Sequence, residues 1–172
     1  MHPFEDVLAS NAEYGKTFAD AGVPGTAARG LAVVTCMDSR INPLGMLGLQ
    51  PGDAKILRNA GARVTDDVLR TLVLAVHLLN VDRVMVVPHT DCRMTKVTDE
   101  QVHDELLGRG WDTRSLDFHT VDDQSEVLRQ DVQRIRSWPY LPRDLAVVGC
   151  VYDVKTGLLE IAVPPEDATQ PG

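Results

Sequence analysis

The sequence predicts a single α/β domain, with a central, mostly parallel β-sheet flanked by helices. Three observations predict it. Short runs such as Leu31 to Thr35 and Arg83 to Val87 are apolar on both faces, which suits buried parallel strands. Amphipathic helical stretches alternate with these runs, and strand, helix, strand order implies parallel pairing. The length of 172 residues fits one hydrophobic core, and no linker divides the composition into two regimes.

Taken in order, Phe4, Val7, Leu8, Ala12 and Phe18 recur at helical spacing, predicting an N-terminal amphipathic helix that Gly22-Val23-Pro24-Gly25 brings to an end. Leu31 to Thr35 is the first strand and stops at Cys36. After the Pro51-Gly52-Asp53 turn, Ala54 to Leu57 forms a second strand leading into Arg58-Asn59-Ala60-Gly61. Asp66 and Asp67 favour a helix start, and the stripe Val68, Leu69, Leu72, Val73, Val76, Leu79 carries that helix to Asn80. Arg83 to Val87 is a third strand and delivers Pro88-His89-Thr90-Asp91-Cys92.

Thr98 with Gln101 makes a capping box for a helix over 99–107, and another helix spans Val121 to Ser137 before Pro139. Leu145 to Val148 is a fourth strand. Val151 to Ile161 reads as two strands around a Gly-containing turn, adding an antiparallel edge strand near the C-terminus. The polar segment 164–172 reads as a loose tail of the one domain, 1–172.

Seventeen basic against twenty-five acidic residues leave a net charge of −8, which disfavours nucleic acid as a partner. The longest strictly apolar run, Leu72 to Val76, is far short of the ~20 residues a membrane span needs, so no membrane partner is expected. The N-terminus has neither a basic region nor an apolar one of the kind secretory signals carry, and three cysteines are too few for a disulfide framework. The expected location is the cytoplasm.

Cys36 and His89 both fall just beyond the C-terminal ends of predicted parallel strands, where open α/β sheets place ligand crevices. Cys92 follows His89 by three residues, so one turn can present an imidazole and a thiolate to the same ion. Two cysteines and a histidine suit Zn2+, and three donors leave a fourth tetrahedral position for water. Zinc lowers the pKa of such a water from about 16 toward about 7, yielding a hydroxide nucleophile at neutral pH. Asp38 is placed to orient that hydroxide and Arg40 to hold Asp38 ionised. In a closed state Asp38 becomes a fourth ligand instead.

The motifs Cys36-Met37-Asp38-Ser39-Arg40, Gly52-Asp53 with Arg58-Asn59-Ala60-Gly61, and His89-Thr90-Asp91-Cys92 resemble, in that order, the β-class carbonic anhydrases. The resemblance runs from Phe4 to Ile161 and is nearest to the small bacterial members. It implies reversible hydration of carbon dioxide, with Cys36, His89 and Cys92 as zinc ligands and Asp38 and Arg40 as the catalytic dyad. It also implies that Asn59-Ala60-Gly61 forms part of the pocket wall. A homodimer or homotetramer, with the N-terminal helix across a partner subunit, follows from the same likeness. Relatives with this zinc motif hydrolyse carbonyl sulfide or carbon disulfide, so the substrate is carbon dioxide, bicarbonate or a sulfur analogue. A non-catalytic, zinc-stabilised binding or regulatory protein is the reading from another class.

Two positions depart from the family pattern. Arg93 stands where glycine commonly follows the second cysteine, which would strain the backbone by of order 1 kcal/mol if that position needs positive φ. Pro88 stands where glycine or histidine is frequent. Cys150 reads as a buried small hydrophobe and Asp91 as a local turn cap, while Arg58 either lines the site or, the favoured reading, satisfies carbonyls and acidic neighbours. His77 reads as packed within its helix, and His2, His103 and His119 as surface residues. Trp111 and Trp138 read as core or subunit-contact anchors.

Overall fold

A computed structural model describes residues 2–166. Its strands are β1 (Leu31–Cys36), β2 (Ala54–Asn59), β3 (Arg83–Val87), β4 (Ala146–Tyr152) and β5 (Leu159–Val163). The helices are α1 (Glu5–Lys16), α2 (Asp66–Leu78), α3 (Asp99–Gly108) and α4 (Gln124–Arg136). The strands form one sheet in the order β2-β1-β3-β4-β5, parallel except for β5, which runs antiparallel to β4 at the edge. The predicted α/β class and antiparallel edge strand are both present. No helix among the described residues is long and apolar enough to cross a membrane.

Every residue of β1 is buried, as its unbroken apolar run requires. Ala32 and Val34 join Val84 and Val86 of β3 beneath α2 and α4, where Leu69, Leu72, Leu128, Val132 and Ile135 complete the larger core. Leu31 and Val33 point to the opposite face, with Val87 and Cys150, under the irregular segment that contains Leu44 and Leu49. The strand period of two thus sorts one apolar run into two cores.

Four of the boundaries that differ from the sequence reading have a clear cause. Strand β2 continues to Asn59, because Thr35 and Cys36 pair with Arg58 and Asn59. Helix α2 ends at Leu78, and Asn80 takes a left-handed turn (φ 63°) with its side chain on the Ala27 carbonyl. Helix α4 begins at Gln124 because Asp123 caps it, accepting from the amides of Ser125 and Glu126; Val121 instead bonds to the Met94 carbonyl. Strand β4 runs through Gly149 to Tyr152, so the first arm of the expected hairpin is β4 itself. A Cβ on Gly149 would lie 3.0 Å from Leu128, so glycine there marks the close approach of α4 to the sheet.

The Thr98–Gln101 capping box is formed, and α3 follows it. Helix α1 occupies the expected place, but none of its residues is buried. Phe4, Val7, Leu8, Tyr14 and Phe18 are all exposed. Of the segment expected as a loose tail, Pro164 and Glu166 accept from Arg136. Residues 167–172 lie outside the described residues.

Candidate metal centre

Because β1 and β3 are adjacent and parallel, their C-terminal ends bring Cys36 and the loop 88–92 to one place. The ligand atoms of Cys36, His89 and Cys92 all lie within 4.8 Å of one another, and all three residues are buried. The two sulfurs are 4.0 Å apart. The His89 ring is fully buried, with Nδ1 2.8 Å from the Thr90 carbonyl. A carbonyl only accepts, so Nδ1 carries the hydrogen and Nε2 is left with a free lone pair. Nε2 has no hydrogen-bond partner.

An unsatisfied buried polar atom costs about 1–3 kcal/mol, so its retention beside two sulfurs calls for a ligand. Two sulfurs and an imidazole nitrogen converging on one point are the donor set that zinc takes, and the residues fit that ion. The surrounding backbone is tied down. Gln124 donates to the His89 carbonyl at 3.0 Å, and the Pro88 and Tyr152 main chains hold one another through Tyr152 and Thr90 amides.

Cys36 also accepts from the Gly61 amide, 3.4 Å from its sulfur. Gly61 and the buried Ala62 adopt left-handed φ of 79° and 59°. Asn59 brackets this turn, donating to the Arg63 carbonyl and accepting from the Arg63 amide. The contact with the Cys92 thiol lowers the Cys36 pKa; burial opposes this, and the Gly61 and Asp38 amides assist. The same contact, with burial, raises Cys92.

Arg40 grips Asp38 in a fork, with Nε 2.9 Å from Oδ1 and a terminal nitrogen 2.8 Å from Oδ2. This fork and the Arg40 amide hold the Asp38 carboxyl below the usual carboxylate range. Asp38 Oδ2 lies 3.8 Å from His89 Nε2, so the dyad borders the space among the three donors.

Asp91 is more than the turn cap expected from sequence. It is a second carboxylate on Arg40, at 2.9 Å, and it also accepts from Lys96. Lys96 and then Arg40 lower its pKa to about 2. A signal was present: Asp91 sits between His89 and Cys92, on the loop facing the predicted dyad.

Arg58 donates to the carbonyls of Cys36, Ile41 and Asp38, which is the structural role expected of it. Arg93 is exposed and opens a short 3-10 turn, and the left-handed residue of this loop is Asp91 (φ 58°), so the strain foreseen at Arg93 does not arise. Pro88 is buried without needing a donor, since only its carbonyl is used. His77 is exposed, with Nε2 2.9 Å from the Tyr140 carbonyl, rather than packed in its helix. Its place inside an apolar helix was misleading, because the residues that α2 buries are Val68, Leu69, Leu72 and Ala75. Trp138 packs on the larger core, Trp111 is exposed, and Cys150 is buried as read.

Comparison with known proteins agrees with this geometry. The profile of the carbonic anhydrase family matches residues 31–159. Beta-carbonic anhydrase 1 of Mycobacterium tuberculosis is 34% identical over 160 residues, covering 93% of this chain and 98% of that protein. A carbon disulfide hydrolase of Acidianus sp. is 31% identical over 159 residues, covering 78% of this chain and 77% of the relative. The crystal structure of carbonic anhydrase from Streptococcus mutans superposes with a TM-score of 0.88 at 36% identity, covering 94% of this chain and 98% of that one. With its sheet, its Cys-His-Cys cluster and these relatives taken together, the chain belongs to the β-carbonic anhydrase family.

Proposed function

We propose that the chain catalyses the reversible hydration of carbon dioxide to bicarbonate, with zinc held by Cys36, His89 and Cys92. The observation that carries this reading is the buried, unpartnered His89 Nε2 beside two sulfurs. Zinc bound there supplies the Lewis acidity that makes water a nucleophile near neutral pH.

The chain's own residues do the rest. His89 is fixed in the donor tautomer by the Thr90 carbonyl. Asp38, kept ionised by Arg40, accepts a hydrogen bond from the attacking oxygen and turns its lone pair toward the carbon of carbon dioxide. The new carbon–oxygen bond forms as one C=O π pair moves onto oxygen, the water's O–H proton passes to the buffer, and bicarbonate departs. Both Asp38 oxygens are engaged by Arg40, which supports an open site over one closed by Asp38 as fourth ligand. The exposed apolar side chains of α1 support a homodimer or homotetramer, and three unpaired cysteines support a cytoplasmic setting.

Stopped-flow hydration of carbon dioxide by zinc-loaded protein at pH 7 and pH 8.5 tests the reading, with Cys36→Ser as control. Activity in the parent and its loss in the variant are expected. The similarity to carbon disulfide hydrolases favours one second reading, hydrolysis of carbon disulfide or carbonyl sulfide at the same site. Sulfide release that outpaces carbon dioxide hydration would establish it. Bound zinc without turnover of either substrate would leave the non-catalytic role.

A further inference from the structure

Helix α4 braces the metal centre from behind at two points. Gln124, in its first turn, holds the His89 carbonyl. Asp131, seven residues on and only 5% exposed, accepts from Arg63 Nε at 2.8 Å and from the Val64 amide at 3.2 Å. Arg63 also donates to the His119 carbonyl at 3.0 Å. One guanidinium thus ties together the 59–64 turn, the 118–120 segment and α4.

The pair needs an explanation beyond stability. A buried ion pair is often replaceable by apolar residues at no loss, because desolvating two charges offsets their attraction. What lies next to it is the strained turn. A non-glycine residue such as Ala62 at positive φ costs roughly 1–3 kcal/mol and persists only where its surroundings over-determine it. Asn59 and Arg63 clamp both ends of that turn, and at its centre the Gly61 amide meets the Cys36 sulfur.

We propose that Arg63 and Asp131 are positioning residues of the metal centre, holding the 60–62 turn so that the Gly61 amide sets the donor strength of the Cys36 thiolate. The proposal rests on the zinc reading above. An amide that donates to a thiolate stabilises the sulfur lone pairs and fixes the sulfur's position; losing it raises the lone-pair energy and loosens the ligand geometry while the sulfur stays bound.

Cobalt-substituted Asp131→Asn and Arg63→Gln test this against the parent, with circular dichroism to confirm folding. The thiolate-to-cobalt absorption is expected to move to longer wavelength in both variants. Zinc affinity, read by chelator competition, is expected to fall about 10–100-fold, the usual scale for residues behind a ligand. Leu128→Ala loosens the same helix while leaving both hydrogen bonds, and is expected to lower the melting temperature without moving the band. Unshifted bands in the folded variants overturn the proposal and leave the zinc reading intact, whereas a parent that takes up neither metal overturns both. Should the variants not fold, the parent loaded with NMR-active cadmium decides: a scalar coupling between the metal and the Gly61 amide proton supports the proposal, and its absence overturns it.

Discussion

Around the candidate metal centre the polar groups are claimed several times over: Arg58 serves three carbonyls, Arg40 two carboxylates, and the Asn59 side chain both main-chain groups of Arg63. Along α1 the opposite holds, since no residue is buried and five large apolar side chains at or beside it face outward. The difference separates what one chain completes alone from what it leaves for an association. The donor geometry is preorganised within the chain by short hydrogen bonds. The apolar stripe of α1 gains nothing until another surface covers it.

The comparison is tested most severely at the donors. Cys36→Ser is expected to abolish stoichiometric zinc binding, read by metal analysis, and to return carbon dioxide hydration to the uncatalysed rate. Asp38→Asn should keep the zinc, because the residue borders the donors without replacing one, yet lower kcat/KM by about 10²–10⁴-fold, the range for a positioned proton-handling group. A zinc-free Asp38→Asn protein would show that the dyad belongs to the metal's own scaffold.

At the other region, Val7→Asp with Leu8→Asp is expected to convert the assembly to monomers by light scattering while zinc stoichiometry stays at the parental value. If zinc is lost as well, the centre is not self-contained and the contrast fails.

The smallest effect concerns the start of α3. Asp99 accepts from the Phe118 and Thr120 amides. Burial pushes its carboxyl up, but the bonds from Thr120 and Phe118 more than reverse this and leave it at about 2. A depressed native pKa gives stability that is present above the ordinary value near 4 and lost as pH falls toward 2. Protection factors of the Phe118 and Thr120 amides, exchange rates corrected for the intrinsic pH dependence, should therefore fall across that window and stay level in an Asp99→Asn variant.

Much of this was legible in the chain. Residues 31–36 and 83–87 announce buried strands because their apolar character is continuous, and parallel neighbours must then bring Cys36 and His89 together. The Thr98–Gln101 box is local and was readable for that reason. What escaped depends on distance or on contact. Arg63 and Asp131 are 68 residues apart, and nothing near either names its partner. Asp91 meets Arg40 across 51 residues. Gly149 looks like a strand terminator until the closeness of Leu128 shows why the strand needs it. His77 lies inside an apolar helix but off the face that α2 buries with Val68, Leu69, Leu72 and Ala75.

The spacing of Gln124, Leu128 and Asp131 along α4 acts as a ruler. These positions share one face because seven residues make about two helical turns, and each residue adds about 100° of rotation. Residues on the outer face of α4 can change freely, but a single insertion between 124 and 131 would swing one brace away from the site. Length, more than composition, is what this helix must conserve as the family diverges.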